Sequence, residues 1–389
     1  MKRLSHLSVF VVVAVSVLWL NSCCKHNKVA VGMPIDLGIS EQGTKAVVEN
    51  KDSLISLCFA DPNNPTGFGV YGYKNITKTV NNQVTITPDR TFNNFEVIPT
   101  SKAANTSWTY SPLRYWDSNP EASYQFIAYW PHLSESQGSG MYVSESDKIL
   151  TIHNIPNWQD GDLPASADLM TATQKGNYTN GYFWDKNNIQ SQKVNFTFGH
   201  QLAKLVIRAY YVGDKNTHVF IQNLSFSGTS FLSDGTVDYR EAFGGQESIE
   251  DPGMGNPVLD NLNHVLFSGN VELGDEAFDD ETPNPIPEGE EDPTPYTPVT
   301  VCTWLVVPST GWHNLGLNIS YGIGAGSAAE TTTLKVSIDA DQTQQYKLEK
   351  SRAYVIKLRF DSTSGGIDVE KVYVSDWIDA DVEKPVYNW

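Results

Sequence analysis

Short runs of apolar and aromatic residues, separated by turn residues, constrain the fold of this chain more than any other feature. One series of runs extends over residues 54–152 and a second over residues 194–374. No run has a convincing helical periodicity, so residues 54–59 are also predicted to form a strand. Antiparallel strands of this length and spacing are typical of β-sandwiches. The sequence therefore predicts an all-β protein with two antiparallel β-sandwich domains in tandem.

The boundary between the two predicted domains lies in a stretch rich in glycine and asparagine. Gly176, Asn177, Asn180 and Gly181 cluster there, and such residues mark turns and linkers. We therefore assign residues 46–190 to an N-terminal sandwich and residues 191–389 to a C-terminal sandwich. The full length of 389 residues leaves room for two domains of ordinary size after a leader is removed.

The first 22 residues have the pattern of a bacterial export signal. Lys2 and Arg3 precede an apolar run at residues 7–20, which is short for a transmembrane helix. The sequence LNSC at residues 20–23 is a plausible lipobox. Residues 1–22 are therefore predicted to be a lipoprotein signal peptide, with Cys23 carrying lipid after cleavage. An ordinary signal peptide cut nearby is the alternative.

Residues 29–39, with the sequence VAVGMPIDLGI, alternate between apolar and small or polar positions. Such alternation predicts a half-buried strand. Pro34 lacks an N–H group, which places the strand at an edge of its sheet. The face predicted to point inward carries Val29, Val31, Met33, Ile35, Leu37 and Ile39.

A cleavable site follows this strand. The sequence GTKA at residues 43–46 offers a single basic residue among small ones, so a trypsin-like protease can cut between Lys45 and Ala46. A strand between a lipid attachment point and such a site can be removed from the fold. Residues 23–45 are therefore interpreted as a propeptide with a detachable edge strand.

The C-terminal tail shows a weaker alternation and is the best candidate for a strand donated to another subunit. Lys384 interrupts its apolar face, so a last strand of its own domain with a frayed end is the alternative. The apolar face comprises Ile378, Ala380, Val382 and Val386.

The net charge of −18 argues against nucleic acid as a partner, because phosphate binding needs a basic surface. Acidic residues and prolines concentrate at residues 275–298, which predicts a mobile surface loop. Calcium binding is the alternative there, although no spacing of carboxylates fixes a ligand geometry. Cys58 and Cys302 lie in different candidate domains, each within an apolar run, and are predicted to be buried free thiols, with a disulfide as the alternative.

No catalytic motif is present, so the chain is predicted not to be an enzyme and to need no cofactor or metal. The histidines are scattered without paired spacing, and His200 is interpreted as a hydrogen-bonded structural residue. The many tryptophans fit the aromatic cores of two sandwiches. Only Trp158 and Trp184, in loop-like sequence, are candidates for ligand contacts.

Several motifs, in order along the whole chain, resemble those of the fimbrillins, the lipoprotein pilin subunits of Bacteroidia type V pili. The C-terminal residues 374–389, with Trp377 and a final Trp389, are also similar to the end of that family's sequences. The other matching stretches are FGVYGY at residues 68–73, WTYSPLRYW at 108–116, YQFIAYWP at 124–131, DLM at 168–170 and FTFGHQLAKL at 196–205.

The resemblance implies transthyretin-like β-sandwiches, delivery to the outer membrane as a lipoprotein, and polymerisation into extracellular fimbriae by donor-strand exchange after proteolysis. Its implied partners are other pilin subunits, a trypsin-like protease, and a host or bacterial surface receptor. The best-known members carry arginine where this chain has Lys45, so the identity of the protease stays open. A monomeric surface lipoprotein, or a pilus tip adhesin that binds a glycan or a host protein, is the alternative.

Overall fold

The structure is a computed structural model, and almost all of its secondary structure is β. Among the described residues, the N-terminal part contains one helix and twelve strands. The described residues are 32–40, 51–61, 65–80, 83–117, 119, 121–136, 140–155, 168–213, 217–227, 231–232, 234–240, 259–260, 265–273, 298–312, 316–323, 330–335, 346–361 and 366–376. The N-terminal elements are β1 (Leu37–Ile39), α1 (Lys51–Cys58), β2 (Phe68–Val80), β3 (Gln83–Pro99), β4 (Trp108–Thr109), β5 (Ala122–Trp130), β6 (Tyr142–Ser146), β7 (Ile149–His153), β8 (Met170–Thr179), β9 (Tyr182–Asp185), β10 (Gln190–Ser191), β11 (Val194–Phe196) and β12 (Gly199–His200).

The C-terminal part continues with thirteen described strands. They are β13 (Ala203–Val212), β14 (Val219–Ser227), β15 (Phe231–Leu232), β16 (Gly235–Asp238), β17 (Leu259–Asp260), β18 (Val265–Leu273), β19 (Val299–Val306), β20 (Ser309–Trp312), β21 (Gly316–Ile323), β22 (Glu330–Lys335), β23 (Tyr346–Leu348), β24 (Arg352–Asp361) and β25 (Gly366–Asp376). Most of these strands coincide with the predicted apolar runs.

One large sheet organises the N-terminal sandwich. Its antiparallel strands follow the order β10-β9-β8-β5-β2-β3-β4, with β12 also pairing with β8. The aromatic side chains of Phe68, Phe92 and Phe126 on one face are covered by β1, β11 and α1. The opposite face packs on a small sheet of order β16-β7-β6. The prediction of an all-β sandwich is therefore confirmed for this part of the chain.

Two four-stranded sheets form the C-terminal sandwich. Their orders are β19-β13-β24-β25 and β18-β14-β21-β22, and the pair β13–β24 is parallel. A cluster of buried aliphatic and aromatic residues, including Trp304, Ile319 and Ile356, fills the space between them. The structure thus has the tandem β-sandwiches that the sequence predicts.

A third apolar cluster joins the two sandwiches. It brings Tyr71 and Ile127 of the large sheet together with Val237, Leu305 and Val307 from the second half of the chain. The pairings of β11 and β12 also carry the N-terminal fold past the predicted boundary at residue 190. We therefore propose a domain boundary at residues 201–202.

The prediction of a strand at residues 54–59 is wrong, because residues 54–58 belong to helix α1. Leu54, Ile55 and Cys58 are each 1% exposed. Their spacing of one and four residues places them on one face of a helix, which packs against the N-terminal core. A short apolar run carries no clear period, so a strand and a single buried helix look alike in sequence.

Candidate functional site

Residues 32–40, which we name the inserted segment, lie between two neighbouring parts of the N-terminal sandwich. On one side, the Ile35 N–H donates to the Arg114 carbonyl at 2.8 Å and the Met33 carbonyl accepts from the Trp116 N–H at 2.9 Å. On the other side, residues 37–39 pair in parallel with β11, in the register Leu37 with Val194. The segment therefore has a hydrogen-bonded neighbour on one side at residues 33–35 and on the other side at residues 36–40, and β1 pairs with one strand, β11.

Pro34 is accommodated because of its place in this arrangement. It forms an isolated antiparallel bridge with Tyr115, in which the neighbouring residues supply the hydrogen bonds. The main-chain nitrogen of Pro34 points away from this partner, and the hydrogen bonds to β11 begin only at the Asp36 carbonyl, 2.9 Å from the Val194 nitrogen. The missing N–H of proline therefore interrupts neither set of hydrogen bonds.

The buried face of the inserted segment begins later in the sequence than predicted. Ile35 and Leu37 are 1% exposed and Ile39 is 8% exposed, and all three belong to the N-terminal apolar cluster. Met33 was expected on the same face, but it is 58% exposed. Among the described residues, residues 33–35 pair with residues 114–116, where Tyr115 is exposed as well.

The WTYSPLRYW motif forms one wall of the site. Its Tyr110 hydroxyl donates to the Ile35 carbonyl at 2.6 Å. Burial raises the pKa of Tyr110 to about 12, so this donor stays protonated at neutral pH. Trp116, 6% exposed, is stacked on Tyr178 with 4.5 Å between ring centroids and an interplanar angle of 4°. These aromatic residues therefore hold residues 108–116 in position, together with the main-chain groups that bond to the inserted segment.

The opposite wall, β11, approaches the inserted segment closely at Gly38. A Cβ atom added there would lie 3.2 Å from Asn195 Oδ1, so glycine suits the contact. Gln174 Nε2 donates to the Asn195 carbonyl at 2.7 Å and ties β11 to the large sheet. Asp36 and Lys193 form an ion pair at 3.5 Å, but both are about two-fifths exposed, so its contribution is small.

Many of the predicted site residues lie outside the described residues. They are Cys23, Val29, Val31, Lys45, Ala46, Trp158, the acidic stretch at 275–297, and Ile378, Ala380, Val382 and Val386 of the tail. The last described strand, β25, ends at Asp376, directly before that tail.

Trp184 is the one predicted ligand contact that the structure describes. It is 37% exposed and lies in β9, whereas Trp108, Trp116 and Trp130 are buried as the predicted core aromatics. Among the described residues no helix is long and apolar enough to cross a membrane. In the same ranges, no three His, Cys, Asp or Glu residues are arranged to hold a metal ion.

His200 confirms its interpretation as a structural histidine. It is 1% exposed, and its Nδ1 lies 2.7 Å from Asp168 Oδ1. Its carbonyl accepts from the Ser351 hydroxyl at 2.9 Å, which links the end of β12 to the second sandwich. The pair joins the DLM motif to the FTFGHQLAKL motif, so these two stretches meet at the junction of the domains.

Both predicted free thiols are confirmed as free. Cys58 is buried, as predicted, whereas Cys302 is half-buried against the core of the second sandwich. Burial raises the pKa of each thiol to about 12. Neither thiol is therefore disposed to act as a nucleophile at neutral pH.

One hydrogen-bonded series has no counterpart in the sequence motifs. Ser144 Oγ lies 3.1 Å from His153 Nε2, and His153 Nδ1 lies 3.0 Å from Asp234 Oδ2. This order of groups is the one used by serine hydrolases. Asp234 also accepts from the Asn154 N–H at 3.0 Å, and Tyr142 stacks on the imidazole. We interpret the series as a link between β16 and β7, and its long sequence separation explains why it escaped prediction.

These features define a class of protein, two tandem β-sandwiches whose first core is completed by an inserted segment. A fimbrial protein from Bacteroides vulgatus is similar in fold, with a TM-score of 0.52 and 15% identity over 89% of this chain and 99% of that chain. A candidate cell adhesion protein from Bacteroides uniformis gives a TM-score of 0.43 and 14% identity over 90% of this chain and 98% of that chain. A search of curated proteins finds no match.

The model of the fimbrillin-like family matches residues 60–377, most of the chain. The chain therefore belongs to the fimbrillin-like family. Membership indicates a structural protein of the cell surface, a pilus subunit or an adhesin.

Proposed function

We propose that the chain is a structural subunit of a cell-surface fimbria that supports adhesion. In this proposal it is exported as a lipoprotein through Cys23, anchored in the outer membrane, and polymerised by donor-strand exchange after cleavage between Lys45 and Ala46. The observation that carries the proposal is the inserted segment, which has neighbours on both sides and three side chains in the core.

Removal of the inserted segment would create an acceptor for a strand. The Arg114 carbonyl and the Trp116 N–H on one wall would lose their partners, and so would the Val194 N–H and the Phe196 carbonyl on the other. The sites of Ile35, Leu37 and Ile39 would become apolar pockets. An extended peptide with alternate apolar side chains satisfies both requirements at once.

The free energy needed to release the inserted segment from the sandwich is the reason why the proposal requires proteolytic cleavage. Three buried side chains contribute about 2 kcal/mol each, and each hydrogen bond adds about 1 kcal/mol, so release costs roughly 10 kcal/mol. An incoming strand would gain a similar amount. The covalently attached segment also has an effective concentration of about millimolar or higher. It therefore occupies the groove in preference to a strand from another subunit until the chain is cleaved.

Lys45 is well placed for such a cut. It follows Ser40, whose N–H donates to the Phe196 carbonyl at 2.8 Å, and precedes α1, which begins at Lys51. Cleavage there would separate the inserted segment and the lipid from the rest of the fold. The proposed donor is the tail with Ile378, Ala380, Val382 and Val386, because it follows β25 directly.

The test uses the soluble chain beginning after Cys24 and limited digestion with trypsin. We expect a new N-terminus at Ala46 by sequencing and a ladder of oligomers by size-exclusion chromatography. Lys45→Gln should block both, whereas Lys51→Gln, a basic residue on the far side of the cleavage site, should block neither. Deletion of residues 378–389 should leave cleaved but monomeric protein.

Two outcomes would overturn the polymerisation proposal. Resistance of Lys45 to cleavage would make the inserted segment a permanent part of the fold. Cleavage at Lys45 without oligomers would instead favour a tip adhesin, which accepts a strand without donating one, or a surface lipoprotein that never polymerises.

A further inference from the structure

Trp184 differs from the other tryptophans whose side chains the structure describes. Trp108, Trp116, Trp130 and Trp304 are at most 7% exposed, whereas Trp184 is 37% exposed on β9 near one edge of the large sheet. A sandwich core needs buried indoles, but an indole that is partly exposed near the edge of a sheet buries less apolar area and contributes less to folding.

The register places a hydrogen-bonding side chain on each side of Trp184. Asn177 of β8 lies directly opposite it on one side and Gln190 of β10 on the other. Ser123 of β5 follows as the partner of Asn177. Directly paired residues point to the same face of a sheet, about 5 Å apart. The row Gln190, Trp184, Asn177 and Ser123 therefore crosses four adjacent strands on one face.

This row combines one flat apolar surface with uncharged groups that donate and accept hydrogen bonds. Asn177 and Gln190 are exposed, and Ser123 is half-buried. Amide side chains offer both two N–H donors and a carbonyl acceptor, and a hydroxyl offers one of each kind. A pyranose ring presents the complementary surface, with C–H groups on its face and hydroxyl groups around its rim. An indole packs on the face, and the amides reach the rim.

We propose that the row Gln190, Trp184, Asn177 and Ser123 is a binding site for a neutral saccharide. The row itself carries no charged group, which favours a neutral sugar over an anionic one. Its single indole offers less apolar area than a stable protein interface requires, since such interfaces bury about 800 Å² on each partner.

The proposed site faces away from the inserted segment. Phe183, the neighbour of Trp184 in β9, is 2% exposed and lies in the apolar cluster that holds Leu37. Because successive residues of a strand point to opposite faces, Trp184 lies on the other side of the sheet. Saccharide binding is therefore independent of cleavage and strand exchange, and a failure of one proposal leaves the other standing.

The experiment measures binding of the soluble chain beginning after Cys24 to immobilised neutral oligosaccharides ending in glucose, galactose, mannose or N-acetylglucosamine. A parallel set carries sialylated glycans. We expect at least one neutral glycan to bind. Trp184→Ala should weaken that binding by about tenfold, and Asn177→Ala should weaken it several-fold. Ile189→Ala is the matched control, because Ile189 is 60% exposed at the turn of the same hairpin but stands outside the row; its binding should be unchanged.

The proposal is overturned if no neutral glycan binds at low millimolar concentration, if only sialylated glycans bind, or if Trp184→Ala binds as well as the unaltered chain. Thermal unfolding of each variant separates loss of binding from loss of fold. Should Trp184→Ala fail to fold, Asn177→Ala decides the outcome, because Asn177 is an exposed side chain whose truncation removes no core contact.

Discussion

The hydroxyl of Tyr110 donates a hydrogen bond of 2.6 Å to the main-chain carbonyl of Ile35, and both residues are buried. This contact joins the third residue of the WTYSPLRYW motif to the inserted segment. A carbonyl in an apolar cluster needs such a partner, because an unsatisfied buried acceptor costs about 1–3 kcal/mol.

Tyr110→Phe removes this hydrogen bond and should therefore destabilise the binding of the inserted segment to the N-terminal sandwich. We expect the free energy of unfolding of the uncleaved chain to fall by about 1–2 kcal/mol, measured by urea denaturation. In protein from which residues before Ala46 have been removed, the same substitution should change stability much less, because Ile35 is absent. An equal loss in both forms would mean that Tyr110 acts elsewhere.

Leu37→Ala and Met33→Ala form a matched pair on the inserted segment. Leu37 is 1% exposed and Met33 is 58% exposed. Truncation of Leu37 should lower the free energy of unfolding by about 2–5 kcal/mol, since it leaves a cavity in the N-terminal core. Truncation of Met33 should change it by about 0.5 kcal/mol or less. Similar effects from both would contradict the burial pattern described here.

For the inserted segment, the buried face could be predicted from the sequence alone, but its limits and its neighbouring strand could not. Alternation correctly placed Ile35, Leu37 and Ile39 on a buried face, because one side of a strand covers a core. It could not reveal that Met33 precedes the covered part, since burial depends on what packs from elsewhere in the chain. Nor could it identify β11 as a parallel neighbour, because pairing is a tertiary property.

The same limit applies to the links between distant parts of the chain. The pairing of β16 with β7 and the register of Asn177, Trp184 and Gln190 arise only when the strands assemble. Individual strands of the second sandwich were predictable, because their apolar runs are long and bounded by turns. Helix α1 was not, because eight residues give too few turns for a period to show.

Gly69 in the FGVYGY motif should be intolerant of a side chain. A Cβ atom there would lie 2.2 Å from two ring carbons of Tyr129, which is fully buried. Gly69→Ala should lower the free energy of unfolding by about 1–3 kcal/mol through overpacking. Gly199→Ala is the control, because no described residue apart from its chain neighbours comes within 4 Å of the corresponding Cβ position. Calorimetry of the two variants should show a lower unfolding temperature for Gly69→Ala alone.

The series Ser144, His153 and Asp234 should prove structural. Asp234→Ala removes acceptors for the His153 ring and for the Asn154 N–H, so we expect a loss of about 1–2 kcal/mol in unfolding free energy. Ser144→Ala should cost less, since Ser144 is exposed. A fluorophosphonate probe should leave Ser144 unlabelled. Covalent labelling that disappears in His153→Ala would instead reveal an activated serine and overturn this interpretation.

Cys58 should report release of the inserted segment. It lies in the same apolar cluster as Ile35, Leu37 and Ile39, whereas Cys302 packs against the cluster of the second sandwich. Burial raises the pKa of both thiols to about 12, so alkylation by iodoacetamide at neutral pH should be slow in the uncleaved chain. Removal of the segment would hydrate Cys58 and lower its pKa toward the ordinary value.

Mass spectrometry of protein that has been cleaved and separated from the inserted segment should then show faster labelling of Cys58, with the labelling of Cys302 unchanged. Parallel acceleration at both thiols would indicate general loosening of the chain, and no change at Cys58 would mean that the groove closes once it is empty.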